Sequence, residues 1–499
     1  MTSSIYAETD WHARACRLRP DGRAFIAGER QALGASFAKH SPLDGRLLGQ
    51  VARCGSAEVE LAVRSARQAF DDARWARQAP AQRKVVLQRF AALVLEAREE
   101  LALLECLDMG KPLRNALQVD VPASARCLAW YGEAIDKVYG EVAPTGVDAL
   151  ALITREAMGV IGCVVPWNYP LIMACWKLGP ALAAGNSVVL KPSEKSPFSA
   201  LRLAELALQA GLPAGVLNVL PGYGHEAGEA LALHPEVDAI GFTGSTRVGR
   251  CMLEYAGRSN LKRVYNELGG KSAFLVFDDH ADPAAAARAA AASLFFNQGE
   301  SCNAPSRVLV QDSVADAFTE QLVEAARGFR AENGLDWGAP MGALVDEAQL
   351  KSVESYVGAG LQEGARLRLG GQRCHAESGG SYMQATVFDQ VDNRMRIARE
   401  EIFGPVISVL RFKTEAEAIA IANDSPYGLQ AAVWSHNINR AHRVARALRA
   451  GTVHVNQYDE DDITVPFGGV KQSGNGRDKS LHALDKYTEL KTTWIQIDA

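Results

Sequence analysis

The sequence predicts an α/β protein in which two lobes each contain a doubly wound parallel sheet. Short β-branched runs alternate with helical stretches between residues 159 and 249, and the same alternation returns between residues 272 and 456. This order of elements is typical of parallel sheets covered by helices. The chain has 499 residues, which at roughly 150 residues per domain allows about three domains. A small single module is therefore excluded.

Four short apolar runs predict the strands of the first lobe, at residues 160–165, 187–190, 216–220 and 238–242. Helix signals stand between the second and third runs. Ser196 precedes Pro197, as at a helix N-terminus, and Gly211 stands where that helix would end. After the first run comes a proline-rich turn, and then a helix that we expect to begin near Leu171.

The second lobe repeats this order, with strands predicted at residues 272–277, 307–310, 406–412 and 451–456. Asp282 and Pro283 open an alanine-rich helix, and further helices are predicted at residues 314–327 and 415–423. Upstream of both lobes, residues 56–105 carry apolar side chains at three- and four-residue spacing, which predicts helices. A cleft between two such lobes is a usual place for a ligand.

Residues 157–176 carry no charge, and their length suits a membrane span. However, Pro166 and Pro170 lie in the middle of the segment. Two prolines four residues apart break a helix and leave backbone groups unpaired at bilayer depth. We therefore interpret the segment as a buried strand, a rigid turn and the start of a helix.

Composition argues against several classes of protein. The chain holds 53 Lys and Arg against 58 Asp and Glu, so its formal net charge is −5. No basic surplus is available to attract nucleic acid or an anionic membrane. Nine cysteines at irregular spacing predict reduced thiols in a cytoplasmic protein, and residues 1–20 show no secretion or lipidation signal. Nothing in the sequence calls for a metal ion.

Cys302 is the candidate nucleophile. It follows residues 295–301, Phe-Phe-Asn-Gln-Gly-Glu-Ser, in which a predicted helix ends at a glycine and a polar loop begins. A ligand can reach a cysteine in such a loop, and nearby dipoles can lower its pKa. The alternative, from this motif alone, is a packed structural thiol.

Two further residues suit catalysis. Glu267 precedes Gly269 and Gly270, and a partly desolvated carboxylate beside flexible backbone suits a general base near neutral pH. Asn168 lies between Pro166 and Pro170, and a rigidly held side-chain amide suits the stabilisation of an oxyanion. Each residue alone also fits a structural interpretation, as a solvated glutamate or as an asparagine that satisfies its own turn.

The sequence contains an unusual candidate dinucleotide site, because G-x-G-x-x-G is absent after the predicted strands. Instead, strand 238–242 leads into residues 243–249, a glycine turn that opens a helix. The N-terminal amides of that helix and the Ser245 hydroxyl can hold phosphate. Lys191 and Glu194 follow another strand, and a carboxylate there would bind a ribose diol and repel a 2′-phosphate, which favours NAD over NADP. The alternative is that Lys191 and Glu194 are two charged residues of an exposed loop and bind no cofactor.

Seven motifs stand in one order along the chain: Pro166-Trp167-Asn168, Lys191-Pro192-Ser193-Glu194, Phe242-Thr243-Gly244-Ser245-Thr246, Glu267-Leu268-Gly269-Gly270-Lys271, Gly299 to Cys302, Glu401-Ile402-Phe403-Gly404-Pro405 and Pro466-Phe467-Gly468-Gly469. With them the chain closely resembles the aldehyde dehydrogenase superfamily from about residue 25 to its end. Residues 129–142 and 471–484 are similar to those of bacterial γ-glutamyl-γ-aminobutyraldehyde and 4-guanidinobutyraldehyde dehydrogenases. The resemblance implies oxidation of an aldehyde to its acid with NAD, or more weakly NADP.

The resemblance also implies the site residues. Cys302 would be the nucleophile and Glu267 the base that activates water against the thioester. Asn168 and the Cys302 backbone N–H would hold the oxyanion, and Lys177 matches a lysine of a proton relay. The residues implied for the cofactor are Val165, Trp167, Lys191, Ser193, Glu194, Gly224, Thr243, Gly244, Ser245, Val248, Gly249, Leu268, Glu401 and Phe403.

The fold implied by the resemblance has three parts. They are an NAD-binding domain of residues 1–128 and 155–266, a catalytic domain of residues 267–475, and a small β oligomerisation element of residues 129–154 and 485–499. A dimer or a dimer of dimers is expected. After Arg477 many relatives continue Glu-x-Gly-Glu, whereas this chain has Asp-Lys-Ser-Leu at 478–481. We therefore expect a relay carboxylate to be missing near Leu481.

Acidic side chains near the tunnel through which the aldehyde is expected to enter predict the class of substrate. Asp459, Glu460, Asp461 and Asp462 stand in the loop that holds the aldehyde's tail in this family, and Asp120 is expected at the tunnel mouth. Such acids suit an ω-amino, γ-glutamylamino or guanidino aldehyde. The resemblance implies a tunnel wall and nucleophile surroundings of Tyr169, Met173, Trp176, Phe296, Ser301, Asn303 and Phe467.

Two alternatives stay open. One is a solvated acidic loop on a broad-specificity dehydrogenase of aliphatic or hydroxy-aldehydes. The other is a coenzyme A-acylating enzyme, against which Glu267 argues because a base that activates water is present.

Overall fold

The first of two seven-stranded sheets lies in the N-terminal half of the chain. The computed structural model describes residues 6–280, 282–458 and 462–498. In spatial order the strands of this sheet are Arg263–Leu268, Ala239–Gly244, Val160–Val164, Ser187–Lys191, Leu217–Val219, Phe25–Ile26 and Glu29–Arg30. The first five strands are parallel, and the last two run antiparallel at one edge.

The first sheet has a topological switch point between Val160–Val164 and Ala239–Gly244. Later strands are added on one side of Val160–Val164 up to Leu217–Val219, and then on its other side. In doubly wound sheets, ligands bind where the carboxyl ends of strands meet such a point. Here those ends lead into the turn at residues 165–169 and into the helix Thr246–Arg258.

The second large sheet lies in the C-terminal half. In spatial order its strands are Arg366–Leu369, Thr386–Asp389, Val406–Phe412, Arg307–Gln311, Ala273–Val276, Gln430–Trp434 and Thr452–Val455. All are parallel except the edge strand Arg366–Leu369. The prediction of two lobes with parallel sheets is confirmed.

A third, antiparallel sheet joins Thr488–Gln496, Ala149–Ala157 and Glu141–Ala143. This sheet contains much of residues 129–154 and 485–499, the two segments for which the sequence predicts a role in oligomerisation. Two small antiparallel pairs complete the strands, and they are Ser36–His40 with Leu47–Ala52 and Arg373–Cys374 with Tyr382–Met383.

Helices cover the faces of the two large sheets. The α-helices are Trp11–Arg17, Ser56–Asp71, Pro80–Glu96, Arg98–Met109, Leu113–Asn115, Val121–Ala134, Pro170–Ala184, Phe198–Gln209, Glu229–Leu233, Thr246–Arg258, Pro283–Phe295, Ala315–Arg327, Glu347–Gln362, Arg396–Arg399, Glu415–Asn423 and Ile438–Ala447. Wider π-helical turns occur at Ala116–Asp120 and Gly224–Gly228. The 3₁₀ turns are Ile135–Lys137, Phe296–Gly299, Asp312–Val314, Ala376–Ser378, Lys471–Ser473 and Leu481–Lys486.

The helix expected after Ser196 begins later than its sequence signal. It runs from Phe198, with Pro197 at the N-cap position and no capping side chain. The Ser196 hydroxyl instead donates to the backbone carbonyl of Trp167 at 3.2 Å, which ties two loops together. At the other end Gly211 has φ of 101°, in agreement with its predicted place just after the helix.

Pro170–Ala184 is a fully buried helix, and its N-terminal turn begins with proline. An apolar surface on all sides is typical of a helix enclosed by other elements. The uncharged segment at residues 157–176 is thus a strand, a turn and part of this helix. Within the described ranges, no helix is long and apolar enough to cross a membrane.

Candidate active site

Cys302 lies in the connection between the helix Pro283–Phe295 and the strand Arg307–Gln311. Just before it, Asn297 and Gln298 have left-handed backbones with φ of 53° and 59°, which costs energy for residues other than glycine. Gly299 has φ of 71°, and a Cβ there would lie 2.2 Å from the Gly404 carbonyl oxygen. Only glycine fits that position, and the strained loop fixes the place of Cys302.

Hydrogen bonds to the turn of the first sheet hold this loop. Asn168 Nδ2 donates to the carbonyl of Glu300 at 2.9 Å. Asn297 Nδ2 donates to the carbonyls of Asn168 at 3.0 Å and Glu300 at 3.1 Å. Asn168 therefore does more than satisfy its own turn. Its amide carries two hydrogens, so one remains for a second acceptor beside Cys302.

Two cavities meet at Cys302. The first, of about 410 Å³, has mostly apolar walls and is called here the aromatic cavity. The second, of about 230 Å³, lies at the carboxyl ends of the first sheet and is called the sheet-end cavity. Tyr169, Met173 and Cys302 line both. A ligand in either cavity can therefore reach the thiol.

The predicted tunnel wall lines the aromatic cavity. The lining includes Tyr169, Met173, Trp176, Phe296, Ser301, Asn303 and Phe467, together with Val119, Ile172 and Gln430. The rings of Trp176 and Phe467 lie 5.1 Å apart, and the hydroxyls of Tyr169 and Ser301 are 2.7 Å apart. The surface offered to a ligand is mainly aromatic and uncharged.

The expectation that Asp120 lies at the tunnel mouth is wrong. Asp120 is fully buried and forms an ion pair with Lys111, which also lies 3.7 Å from Glu105. Its neighbour Val119 lines the aromatic cavity instead. The π-helical turn Ala116–Asp120 sets which of these residues faces the cavity.

The acidic loop is described only in part. Asp459, Glu460 and Asp461 lie outside the described residues. Asp462 is described, and its carboxylate accepts hydrogen bonds from the Thr464 N–H at 2.8 Å and hydroxyl at 2.7 Å. These bonds, with the charges of Lys479 and Arg126, lower the pKa of Asp462. Lys479 Nζ also lies 5.5 Å from the Trp176 ring centre, so a cation of the chain itself is near this wall.

The predicted cofactor residues form two groups at the carboxyl ends of the first sheet. One group lines the sheet-end cavity: Trp167, Thr243, Gly244, Ser245, Leu268, Glu401 and Phe403. The other lies outside its walls, at the carboxyl ends of strands of the first sheet or on the segments that follow them: Val165, Lys191, Ser193, Glu194, Gly224, Val248 and Gly249.

The first group suits a dinucleotide. Thr243 Oγ1 is buried with no hydrogen-bond partner in the described part of the chain. Ser245 caps the helix Thr246–Arg258 by accepting from the Val248 N–H, and a helix N-terminus favours phosphate. Glu401 accepts from the Gly270 N–H at 3.0 Å, and burial raises its pKa to about 7.

The second group fits the same ligand. Lys191 Nζ lies 3.3 Å from the Glu194 carboxylate, so a cation and an acid stand together at the end of Ser187–Lys191. A Cβ on Gly249 would lie 2.6 Å from Leu268, so this glycine lets the helix approach the strand. A Cβ added to Gly224 would have no other atom within 4 Å, so there is room for a ligand beside this residue.

Glu267 is the penultimate residue of the strand Arg263–Leu268 and lines the sheet-end cavity. Both carboxylate oxygens are buried and have no hydrogen-bond partner among the residues described. Burial raises its pKa well above the usual value, and the negative charge of Asp478 raises it further. The direction agrees with the expectation of a base tuned toward neutral pH.

The sequence predicts that a relay carboxylate is missing near Leu481, and the structure shows a buried carboxylate three residues earlier, at Asp478. Lys177, on the buried helix Pro170–Ala184, places Nζ 2.5 Å from Asp478 Oδ2. Asp478 also binds Lys486 and is electrostatically coupled to Glu267. A buried carboxylate that influences Glu267 is therefore present directly after Arg477.

The surroundings of Cys302 do not lower its pKa, contrary to the expectation from nearby dipoles. Burial raises the pKa of the thiol, and the negative charges of Glu401 and Glu267 add to the effect. The thiol is accordingly protonated at neutral pH in this state, so a base has to remove its proton before it attacks.

Sequence reasoning missed several residues of this site. Gln349 lines the sheet-end cavity and donates from Nε2 to the Phe403 carbonyl at 2.7 Å. Asn297, Asp478 and Lys486 were also not predicted. The position of Asp478, directly after the Gly476-Arg477 pair, is a signal that could have identified it.

Comparisons with known proteins agree with this geometry. The family model described as "Aldehyde dehydrogenase family" matches residues 29–493. The chain is 52% identical to the NADP/NAD-dependent aldehyde dehydrogenase PuuC of Escherichia coli, over 98% of each chain. It is 47% identical to aminoacetaldehyde dehydrogenase of Pseudomonas aeruginosa, over 99% of each.

Solved structures match equally well. The structure of P. syringae AldA, an indole-3-acetaldehyde dehydrogenase in complex with NAD⁺ and IAA, has a TM-score of 0.97 and 59% identity. That of γ-glutamyl-γ-aminobutyraldehyde dehydrogenase from Burkholderia cenocepacia has a TM-score of 0.96 and 56% identity. Each match covers 98% of this chain and 99% of the other. The chain therefore belongs to the aldehyde dehydrogenase family, and it is an oxidoreductase that acts on aldehydes with NAD or NADP.

Proposed function

We propose that this dehydrogenase oxidises an aldehyde with nitrogen at its far end, of the ω-amino, γ-glutamylamino or guanidino class, to the carboxylic acid. Two relatives support the proposal by their names, the aminoacetaldehyde dehydrogenase and the γ-glutamyl-γ-aminobutyraldehyde dehydrogenase. The acidic residues at 459–462 give a physical reason, because charge-assisted hydrogen bonds hold a cationic tail.

The observation that carries the mechanism is the position of Cys302, where the two cavities meet. We infer that the thiol gives its proton to Glu267 and that the sulfur then bonds to the aldehyde carbon. The second N–H of Asn168 and the backbone N–H of Cys302 would hold the resulting oxyanion, a contribution that is typically worth a few kcal/mol. NAD(P)⁺, when bound in the sheet-end cavity, supplies the hydride acceptor.

Hydrolysis completes the proposed reaction. Once Glu267 has passed on the proton of the thiol, it takes a proton from water. The water oxygen then bonds to the thioester carbon, and the Cys302 sulfur leaves as a thiolate. Lys177 and Asp478 would then carry the proton away from Glu267, since Asp478 is bound to Lys177 and is electrostatically coupled to Glu267. Glu267 would be a buried base beside the place where water attacks the thioester. Its presence argues against a coenzyme A-acylating reaction, in which the thiol of coenzyme A takes the place of water.

The cofactor residues keep the roles that the resemblance implies. Glu194 and Lys191 would hold the adenosine ribose, and Ser245 with the N-terminus of its helix would hold the pyrophosphate. Glu401 and Phe403 would hold the nicotinamide ribose. The edge-on contact of the Phe403 and Trp167 rings, 5.1 Å apart, supports one shared wall for this ligand.

A second candidate substrate is an apolar or aromatic aldehyde. The described walls of the aromatic cavity carry Tyr169, Trp176, Phe296 and Phe467 but no acid, and the relative AldA is an indole-3-acetaldehyde dehydrogenase. Aromatic and aliphatic side chains bind such a tail without any charged partner. This candidate includes the broad-specificity alternative.

The deciding experiment compares kcat/KM for a panel of aldehydes, with NAD and then NADP. The panel holds 4-aminobutyraldehyde, its γ-glutamyl and guanidino derivatives, 3-hydroxypropanal, hexanal and indole-3-acetaldehyde. We expect a preference of about tenfold, or 1.4 kcal/mol, for the nitrogen-bearing chains. A preference for indole-3-acetaldehyde or hexanal would favour the second candidate.

A double variant tests whether the acidic loop binds the substrate. Asp461→Asn combined with Asp462→Asn should raise KM for 4-aminobutyraldehyde and leave that for propanal unchanged, because only the former carries a positive charge. Equal effects on both aldehydes would count against the loop as a binding site.

The nucleophile is tested separately. Cys302→Ala should abolish aldehyde oxidation while NAD binding persists, and Cys374→Ala, which removes a thiol outside both cavities, should leave turnover unchanged. Residual turnover above about one per cent in Cys302→Ala would reject the assignment.

We also propose a homo-oligomer that assembles through the third sheet and works in the cytoplasm. Val142, Leu490 and Trp494 are each more than half exposed on this sheet, and clustered exposed apolar side chains mark an interface. The nine free cysteines support a reducing compartment.

A further inference from the structure

Asp478 is held between two lysines from different elements. Lys177, from the helix Pro170–Ala184, approaches Oδ2 at 2.5 Å, and Lys486, at the end of the 3₁₀ turn Leu481–Lys486, binds Oδ1. All three side chains are almost fully shielded from solvent. A buried carboxylate with two cations is tied in place from both sides.

Glu267 shares this buried pocket without a bond of its own. Its carboxylate oxygens have no hydrogen-bond partner within the described ranges. It is coupled electrostatically to Asp478, Lys177 and Lys486, and more weakly to Arg477. When Lys177, Lys486, Asp478 and Glu267 are all ionised, their two positive and two negative charges balance. Removal of Lys486 leaves these groups with a net negative charge.

Other groups facing Lys486 and its partners carry little charge. The Cys163 thiol lies on the strand Val160–Val164, and burial raises its pKa to about 12. Tyr131 and Tyr487 also face Asp478, and burial raises the pKa of each hydroxyl, so both stay neutral. The charge state of the pocket is therefore set by the two lysines, Asp478 and Glu267, with a weaker contribution from the positive charge of Arg477.

The backbone fixes the place of Lys486. Asn186 Nδ2 donates to the carbonyl of the next residue, Tyr487, at 2.9 Å. Tyr487 itself is fully buried. The lysine therefore cannot swing away from Asp478 without breaking the packing that precedes the strand Thr488–Gln496.

We propose that Lys486 is a positioning residue for thioester hydrolysis: it fixes Asp478 beside Lys177 and supplies the second positive charge that allows Glu267 to ionise. This inference rests on the proposed role of Glu267 as the base. Lys486 does not touch the substrate, so it acts through Asp478 and through its charge. Without that charge, ionisation of Glu267 leaves one uncompensated negative charge in a buried pocket.

Two variants of the full-length enzyme separate charge from hydrogen bonding. Lys486→Gln keeps a donor for Asp478 but loses the charge, and Lys486→Arg keeps the charge. We expect Lys486→Gln to shift the acid limb of the kcat–pH profile to higher pH by about one unit, which at neutral pH is about a tenfold loss of kcat. KM should change little, and Lys486→Arg should restore the profile.

Rapid-mixing experiments show which chemical step is slowed. In Lys486→Gln the first turnover should still release NADH as a burst, because hydride transfer precedes hydrolysis, and the steady state should then be slow. Lys262→Met is the matched control, since Lys262 is also a buried lysine and its Nζ bonds the Ala232 carbonyl. Its pH profile should equal that of the unmodified enzyme.

Two results would overturn the proposal. The first is a kcat–pH profile of Lys486→Gln that coincides with that of Lys262→Met. The second is an equal loss of kcat in the Gln and Arg variants with no pH shift, which indicates packing alone. Glu267→Gln tests the underlying assignment separately. Loss of both the burst and the steady state supports Glu267 as the base of both steps, and a burst followed by no turnover supports it as the base of hydrolysis. Normal turnover rejects that role and the Lys486 proposal with it.

Discussion

The side-chain amide of Asn168 and the backbone carbonyl of Glu300 are joined by a hydrogen bond of 2.9 Å, two residues before Cys302. Asn168 follows a strand of the first sheet, whereas Glu300 belongs to the loop that enters the second sheet. The bond therefore locks the nucleophile loop of one lobe against the turn of the other. Asn168 and Cys302 also line the same sheet-end cavity, which makes the second N–H of the amide a candidate donor to an oxyanion.

Asn168→Ala should lower kcat by about 10²- to 10³-fold, the usual effect of removing one oxyanion donor. Asn297→Ala is the matched control, because Asn297 bonds the same Glu300 carbonyl from the other side of the loop. It should cost clearly less activity, since it removes a loop contact but no donor to the oxyanion. Steady-state kinetics with one good aldehyde measure both. Equal losses would indicate that Asn168 only holds the loop.

Glu267→Gln should change how stability depends on pH. The pKa of Glu267 in the folded protein is raised above its usual 4.5, so the folded state binds more protons than the unfolded chain between the two values. Stability from this group is full below about pH 4.5 and falls as pH rises. Gln does not ionise, so the Tm of the variant should rise relative to that of the original enzyme as the pH increases above about 4.5.

The control for this measurement is Glu254→Gln, which replaces an exposed glutamate of the helix Thr246–Arg258. Its Tm should follow the original enzyme at each pH. A difference between Glu267→Gln and the original enzyme that stays constant with pH would mean that Glu267 has no raised pKa.

The order of strands and the main turns were predictable because their signals are local. Glycine, proline and β-branched runs gave four of the seven strands of each large sheet to within a few residues, and the helix Glu415–Asn423 has the predicted bounds. The strands that were not predicted are Phe25–Ile26, Glu29–Arg30, Arg263–Leu268, Arg366–Leu369, Thr386–Asp389 and Gln430–Trp434. Ser196 failed as a helix cap because its hydroxyl bonds the distant Trp167 carbonyl. That partner is set by tertiary packing and leaves no local trace.

The residues of the candidate site could be predicted where the sequence motifs are specific. The prediction failed where the geometry of one helical turn determines which side chain faces the cavity. Asp120 and Val119 are neighbours in sequence, but only the structure shows that the first pairs with Lys111 and the second lines the cavity. Asp478 was overlooked because a carboxylate was sought in a longer pattern. Its role depends on Lys177, some 300 residues earlier in the chain.

Trp494→Glu should break the assembly proposed for the third sheet. Trp494 lies on the strand Thr488–Gln496 and is 67% exposed, so a charge there costs little in the single chain. Buried in an interface it would be an unpaired charge, which is strongly unfavourable. Light scattering after gel filtration should give a lower mass. Leu361→Glu, on an exposed helix position elsewhere, should leave the mass unchanged.

Glu194→Gln should shift the coenzyme preference toward NADP. Glu194 follows the strand Ser187–Lys191, and its carboxylate lies 3.3 Å from Lys191 Nζ. A carboxylate at this place repels a 2′-phosphate and binds the 2′-hydroxyl of NAD, whereas an amide removes the repulsion and leaves the Lys191 cation to attract phosphate. The ratio of kcat/KM for NADP to that for NAD should rise about tenfold, equivalent to 1.4 kcal/mol. Glu236→Gln, which replaces an exposed acid at the opposite end of the first sheet, before the strand Ala239–Gly244, should leave the ratio unchanged. If Glu194→Gln leaves it unchanged as well, the adenosine ribose binds elsewhere and Lys191 with Glu194 is only a structural ion pair.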